Sequence, residues 1–443
     1  MSCTLLKIDY STHYAVFSID SESDLNELPS TTQNGKGNLS TVCPVSQGSL
    51  AKGTNGTDYI LNGDSNLWEK YTSESPIVYE NNVEFVDNLS EIAGTASENG
   101  IYKAIKSIAF PQGTTKIGNY LCYNCTGLES VIIPDGVISI GVGAFENCSS
   151  LSSITIPDSV TSIGSSAFYG TALLANQTGV KYADTWVVDC DEDVTSAEIK
   201  EGTKAIANDA FYSCTSLASI TIPDSVTTIG DGAFYICKSL ESITIPSSVI
   251  SIGQITFSNC TSLKDIVILG EIDTIKFRTF ANCTSLINIT IPSSVTTIDT
   301  SAFSYCTSLE NIVIPNSVVS IGAGAFDNCS NLKNVSIGKN VSFIGGGVFA
   351  NCTSLTDIKL PDTVTSIGQS VFVNCSNLTS VIIPNTITSF GSTLFCNCTK
   401  LSDIYYTGTE EQWNAITKSS DWNVNMGTDV TGGTVIHYNY VSE

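Results

Sequence analysis

Nine cysteines, Cys214, Cys237, Cys260, Cys283, Cys306, Cys329, Cys352, Cys375 and Cys398, stand 23 residues apart without a slip. Cys125 and Cys148 keep the same interval, and the grid breaks only once, between Cys148 and Cys214. A period held this strictly restricts the chain to architectures that stack one short supersecondary unit many times. Aligned on the cysteine, the unit reads Cys-Thr-Ser-Leu-x-x-Ile-x-Ile-Pro-x-Ser-Val-x-x-Ile-Gly-x-x-Ala-Phe-x-Asn, followed with small departures from Cys237 to Asn259.

Within that unit Ile243 and Ile245 alternate with Ser242 and Thr244, the pattern of a strand with one buried face, and Leu240 leads in from the same side. Pro246 stops the strand because it has no N–H for a ladder. A second extended piece, Val249 to Ile252, ends at Gly253, whose missing Cβ allows a tight turn into a short helical segment carrying Phe257 and Cys260. One coil cannot bury its apolar face alone, so stacking has to supply both the core and the strand hydrogen bonds. The expected fold is a repeat solenoid, mainly β with short helical turns, plus a small separate mainly-β N-terminal domain.

The segmentation follows from where the unit is present. Residues 1–70 lack it and read as a β-rich attachment module, with turn-rich runs at Gln33–Gly37 and Gly53–Gly56 and a hairpin across Tyr59–Trp68. Residues 71–102 read as a connector, 103–400 as the solenoid with an irregular insertion at 172–205, and 401–443 as a C-terminal cap. In the insertion, extra strands carrying Tyr182 and Trp186 read as a protruding hairpin. In the cap, a short amphipathic helix over Thr409–Ile416 sets Trp413 and Ile416 to cover the last coil, before Thr434–Tyr438 closes the chain.

Charge and cysteine use narrow the setting. The net charge is −24 and Arg278 is the single arginine, with no Lys/Arg cluster, so the electrostatics that nucleic acid or anionic membranes require are missing. No apolar run reaches the roughly 18 residues of a membrane helix. Met1 to Tyr10 lack the pattern of a secretory signal. The cysteine slot is also filled by Thr171, and the slot cysteines number eleven, which is odd. Although strands about 4.8 Å apart would bring such sulfurs within disulfide reach, both facts favour reduced thiols acting as small hydrophobes, made in a reducing cytoplasm.

The unit Ala-Phe-x-x-Cys-x-x-Leu-x-x-Ile-x-Ile-Pro-x-x-Val-x-x-Ile-Gly resembles the BspA-like leucine-rich repeat family over about residues 103–440, and the ending from Tyr405 through Gly408 to Trp413 and Ile416 resembles its closing segment. The resemblance implies adhesion and ligand recognition at surfaces of bacteria, protists or their viruses, and no enzymatic residues. Ser23–Thr32, Gly48–Ala51 and Asp58–Trp68 resemble modules of tailed-bacteriophage structural proteins, which implies attachment to virion proteins.

Catalytic raw material is thin. The two histidines, His13 and His437, lie in separate terminal regions. Cys122-x-x-Cys125 and Cys396-x-Cys398 overlap the core slot and have no second pair at zinc spacing. Asp189 to Asp193 alternates carboxylates as a calcium loop does, but Val194 replaces the loop glycine and Lys200 the closing Glu, so a solvated acidic hairpin tip is the better reading. Asn-Cys-Thr/Ser recurs at Asn124, Asn147, Asn259, Asn282, Asn328, Asn351, Asn374 and Asn397, where the amide is expected to satisfy turn backbone rather than carry a glycan. No cofactor or metal is expected.

Binding is the remaining function. The exposed middle residue of each main strand gives the row Ile132, Thr155, Thr221, Thr244, Val267, Thr290, Val313, Ser336, Lys359, Ile382 and Tyr405, a flat ladder suited to a repetitive ligand or simply to β structure. Thr155, Thr221, Thr244, Thr290, Lys359 and Tyr405 are the candidates there, with Tyr182 and Trp186 as aromatic anchors or plugs of the irregular coil. The expectation is a non-enzymatic binding protein with a protein or glycan partner, and a homo-oligomer is compatible with it. Its first form is a bacteriophage virion surface protein, its alternative a bacterial cell-surface adhesin. A glycan-active enzyme would need paired carboxylates at one cleft, which the repeat face lacks.

Overall fold

The computed structural model describes residues 3–9, 14–19, 25, 28, 50–53, 58–62, 67–70, 107–110 and 113–441. The connector expected at 71–102 lies outside the described residues. The chain divides into two compact units, one of Met1–Asp189 with Ala207–Asp209, the other of Cys190–Ile206 with Ala210–Glu443. Both contain the β-solenoid coil that the period implies.

In the first unit, Cys3–Asp9, Tyr14–Ile19, Leu50–Gly53, Asp58–Asn62 and Leu67–Lys70 form a five-stranded sheet in that order. Its pairs are antiparallel except Tyr14–Ile19 with Leu50–Gly53. The expected hairpin is its last pair, with Leu61 opposite Trp68. The coils follow as two parallel ladders, Ser107–Ala109 beside Ser130–Ile132, and Lys116–Ile117, Ser139–Ile140 and Ser162–Ile163 in register.

The insertion corrects one expectation. Its hairpin, Val180–Ala183 and Trp186–Cys190, turns at Asp184 in the left-handed region and lies on the stack instead of protruding. Tyr182 and Trp186 are both buried. The Gln177 amide clamps the Tyr182 backbone through two 2.8 Å bonds, Asp184 Oδ2 accepts from the Ile156 N–H at 2.8 Å, and the Val187 carbonyl accepts from the Ala207 N–H at 2.8 Å. These fastenings turn the aromatics inward, where they supply apolar volume to a coil that lacks the regular Leu and Ile positions.

In the second unit the main strands run from Ser196–Glu198 to Val435–His437, their described pairs parallel and in 23-residue register, as with Ile243 opposite Ile266 opposite Ile289, except the last, where Asp403 stands opposite Val435. The smaller ladder, such as Thr228–Ile229, Ser251–Ile252 and Thr297–Ile298, repeats the same geometry. Between them the core is a set of columns of identical side chains. From Phe211 to Phe395 each ring stacks on the next with centroids 5.0–5.9 Å apart. Beside them runs the thiol column, fully buried, in which Cys260, Cys283, Cys306 and Cys329 each donate to the carbonyl of the phenylalanine 26 residues earlier at 3.1–3.2 Å.

The turn edge differs from the short helix expected after Gly253. It is a run of turns with two left-handed residues in each coil, such as Ser301 (φ 55°) and Tyr305 (φ 61°). The reason is the neighbouring coil. N–H groups at Ser301, Phe303 and Tyr305 donate to the Ala323, Ala325 and Asp327 carbonyls at 2.8–2.9 Å, so backbone that a helix would bond internally is turned outward to the next coil. Gly253 is required by the same closeness, since a Cβ there would collide with the backbone of Asp231.

Helix Glu410–Ala415 starts from a capping box between Thr409 and Gln412. It buries Trp413 against Phe390 and Tyr406, with Ile416 also buried.

Candidate functional site

The exposed face of the main ladder is the surface on which the structure assembles most of the predicted residues. In the first unit Ile132 is 64% exposed, and Thr155 is exposed on a stretch that is not a regular strand. In the second unit Thr221, Thr244, Thr290 and Lys359 are all exposed. Register places Thr244 beside Val267, Val313 beside Ser336, and Lys359 beside Ile382. Alternation fixes this outcome: the residues on either side, Ile243 and Ile245 for example, point into the core.

The row gains a member at each end, the first at the regular interval and the last 32 residues on. Glu198 stands opposite Thr221 at the start of the row, and His437 stands opposite Tyr405 at its end. Tyr405 is half-buried, because its ring stacks on His437 at 4.8 Å and packs against Tyr440 at 4.7 Å. Of the eight predicted residues, then, Tyr182 and Trp186 are core, Tyr405 is covered in part, and the other five face solvent.

A second row runs along the strand starts through Asp265, Asn288, Asn311, Asn334 and Asp357. The Asn334 amide donates to the Asn311 side-chain oxygen at 2.6 Å, and Lys264–Glu241 (3.1 Å) and Lys333–Glu310 (3.5 Å) pair along the stack. The face therefore offers hydroxyls, amides and short apolar groups repeating at strand spacing, about 4.8 Å. Two of its lysines pair with glutamates of the preceding coil, and Asp265 and Asp357 are exposed carboxylates on the same row.

Ser402 Oγ and His437 Nε2 both bond the Asp403 carboxylate, each at 2.7 Å, and hold its pKa below the usual range. The carboxylate sits between the other two, so the hydroxyl is not activated by the imidazole. Burial raises the thiols of the cysteine column, Cys260 and Cys398 to about 12, which keeps them protonated and poor nucleophiles. Lys181 closes on Asp189 at 2.9 Å, removing one carboxylate from the acidic run. Among the described residues no group of His, Cys, Asp and Glu is arranged to hold a metal ion. Likewise, none of the described helices is long and apolar enough to cross a membrane.

The family described as BspA type Leucine rich repeat region matches residues 79–179, 189–310 and 298–417. The chain belongs to this BspA-type family. The first match begins inside the stretch expected to be a connector. The BspA-type chain is similar to a leucine rich cell surface protein of Faecalibacterium prausnitzii A2-165, at 30% identity over 82% of this chain and 96% of that one, with a TM-score of 0.39. It is also similar to a leucine-rich repeat protein of Bacteroides ovatus, at 27% identity over 87% of this chain and 96% of that one, with a TM-score of 0.45. No curated protein matches it in sequence. The bacteriophage expectation is not shown by these matches, and the family match does not reach residues 1–70.

Proposed function

We propose that this BspA-type protein is a bacterial cell-surface adhesin that binds an extended partner along the exposed face of its main ladder. The observation that carries the reading is the row from Thr221 to Ser336, which is uncharged and set by strand register, with Thr221, Thr244, Thr290 and Ser336 facing solvent, on a chain of net charge −24. A rigid row at one repeat distance suits a ligand that is itself repetitive, such as a polysaccharide, because each coil adds one weak contact and the contacts sum by multivalency. Membership of the family supports the surface setting.

The test is binding to an array of bacterial and host polysaccharides by the full chain and by a triple variant, Thr221→Glu, Thr244→Glu and Thr290→Glu, which places charges at solvent-facing positions. A polysaccharide bound by the wild type and lost by the folded variant is the expected result. Equal binding by both removes this face from the function. Protease treatment of intact producing cells tests the location, and a chain that stays protected there contradicts the adhesin reading.

A further inference from the structure

Cys122 stands where later coils carry phenylalanine, three residues ahead of the column cysteine, as Phe145 does before Cys148 and Phe211 before Cys214. The ring missing there is returned by Phe110, which occupies the slot of Ile133 and Ile156 and packs edge-on against Phe145 at 6.5 Å. Beside that ring any small apolar side chain would complete the core. What a thiol adds is chemistry.

The turn brings this thiol to a second one. The Cys125 N–H donates to the Cys122 carbonyl at 3.1 Å, closing a β-turn whose third residue, Asn124, is left-handed at φ 59°. Such a turn holds its end Cα atoms within about 7 Å, and a disulfide spans roughly 4.4–6.8 Å. Both side chains are buried, Cys122 at 1% exposure and Cys125 at 0%. Regular column thiols donate to a phenylalanine carbonyl, as Cys237 does to Phe211 at 3.1 Å, and Cys148 keeps that pattern toward the Cys122 carbonyl at 3.1 Å. Cys125 differs from them: it hydrogen-bonds the thiols of Cys122 and Cys148, and these contacts together with burial raise it well above its ordinary value.

We propose that Cys122 and Cys125 are a disulfide site of the first unit, oxidised while the turn forms and then sealed inside the stack. The oxidant is a low-molecular-weight or protein disulfide. One cysteine thiolate displaces a sulfur of that disulfide, and the other then displaces the mixed disulfide, so the Cys122–Cys125 bond forms as the oxidant's own S–S bond breaks. The oxidant leaves as two thiols that carry both protons and both electrons. Burial sets the timing, because a protonated, enclosed sulfur is a poor nucleophile and exchange needs the open chain. Cys148 is held by a carbonyl, and the later column cysteines likewise, which leaves the pair within one turn as the one that closes.

Refolding the full chain from urea in a mixture of glutathione and glutathione disulfide, followed by alkylation in denaturant and peptide mass mapping, tests this. The expected product has Cys122 joined to Cys125 and the cysteines from Cys237 to Cys375 alkylated. It is expected to melt about 2 °C above chain refolded with dithiothreitol, while Cys122→Val, which keeps a small apolar side chain in the slot, melts at the same temperature from both mixtures. Alkylation of both Cys122 and Cys125 in the oxidised wild type overturns the proposal. So does a bridge that takes Cys148 as its partner, or bridging to the same extent among the later column cysteines.

Discussion

At each left-handed position the backbone sets a preference that the side chain meets or violates. A residue with a Cβ pays about 1–2 kcal/mol for αL, and asparagine least among them because its amide bonds locally. Asn351, at φ 60°, adds a second contribution: its amide donates to Asp327 Oδ1 at 2.9 Å and its oxygen accepts from Asn374 at 2.8 Å. Asn351→Ala is therefore expected to lower stability by about 1–2 kcal/mol, and Asn351→Gly by less, because glycine keeps the conformation and loses only the side-chain bonds. Urea unfolding of the two variants distinguishes the causes, and equal losses in both would assign the whole effect to the amide chain. The recurring Asn-Cys-Thr/Ser is thus a conformational signature.

At the scale of the element, the coil was legible in sequence wherever a residue meets a copy of itself. Ile243, Thr244 and Ile245 could be assigned inside and outside by alternation, and Phe303 could be placed in a column because Phe280 and Phe326 occupy its slot at the same interval. What the repeat does not encode was misread or unseen. The Tyr182–Trp186 hairpin has no equivalent coil to copy, so nothing in its pattern told a protruding hairpin from a docked one. The turn edge looked helical because the need for αL arises only from bonds to the next coil. His437 joins the exposed row from beyond the last regular interval, so spacing could not find it. The legible part makes its own prediction. Phe303, fully buried between rings 5.2 Å away on both sides, is expected to cost about 3–5 kcal/mol when changed to Ala. Deleting residues 306–328, one whole period, is expected to leave circular dichroism per residue unchanged, because every remaining column closes in register. Loss of the β signal in that deletion would mean that the coils are not interchangeable.

For the molecule as a whole, the thiol column ties stability to alkaline pH. A cysteine whose ordinary value is near 9.0 is raised by burial to about 12 at Cys260 and Cys398, and well above the ordinary value at Cys283, Cys306, Cys329, Cys352 and Cys375. Above 9.0 the unfolded chain releases these protons while the folded chain keeps them, so the unfolded state binds fewer protons and stability falls as pH rises. Below 9.0 both states hold the protons and the thiols make stability independent of pH. Each column cysteine contributes a decline of up to about 1.4 kcal/mol per pH unit in that window. Because stacked coils share interfaces, the declines add along the column and the solenoid is expected to unfold steeply from this threshold. Tyrosine and lysine titrate in the same range, so the column's share has to be isolated by subtraction. Cys306→Ala with Cys329→Ala is expected to be less stable than wild type at neutral pH, for the two small cavities, yet to lose stability more slowly above 9.0, by about 3 kcal/mol per pH unit. Urea midpoints measured across the alkaline range supply both slopes. Identical slopes would show that the thiols ionise in the folded protein, and the column would then have to be open to water.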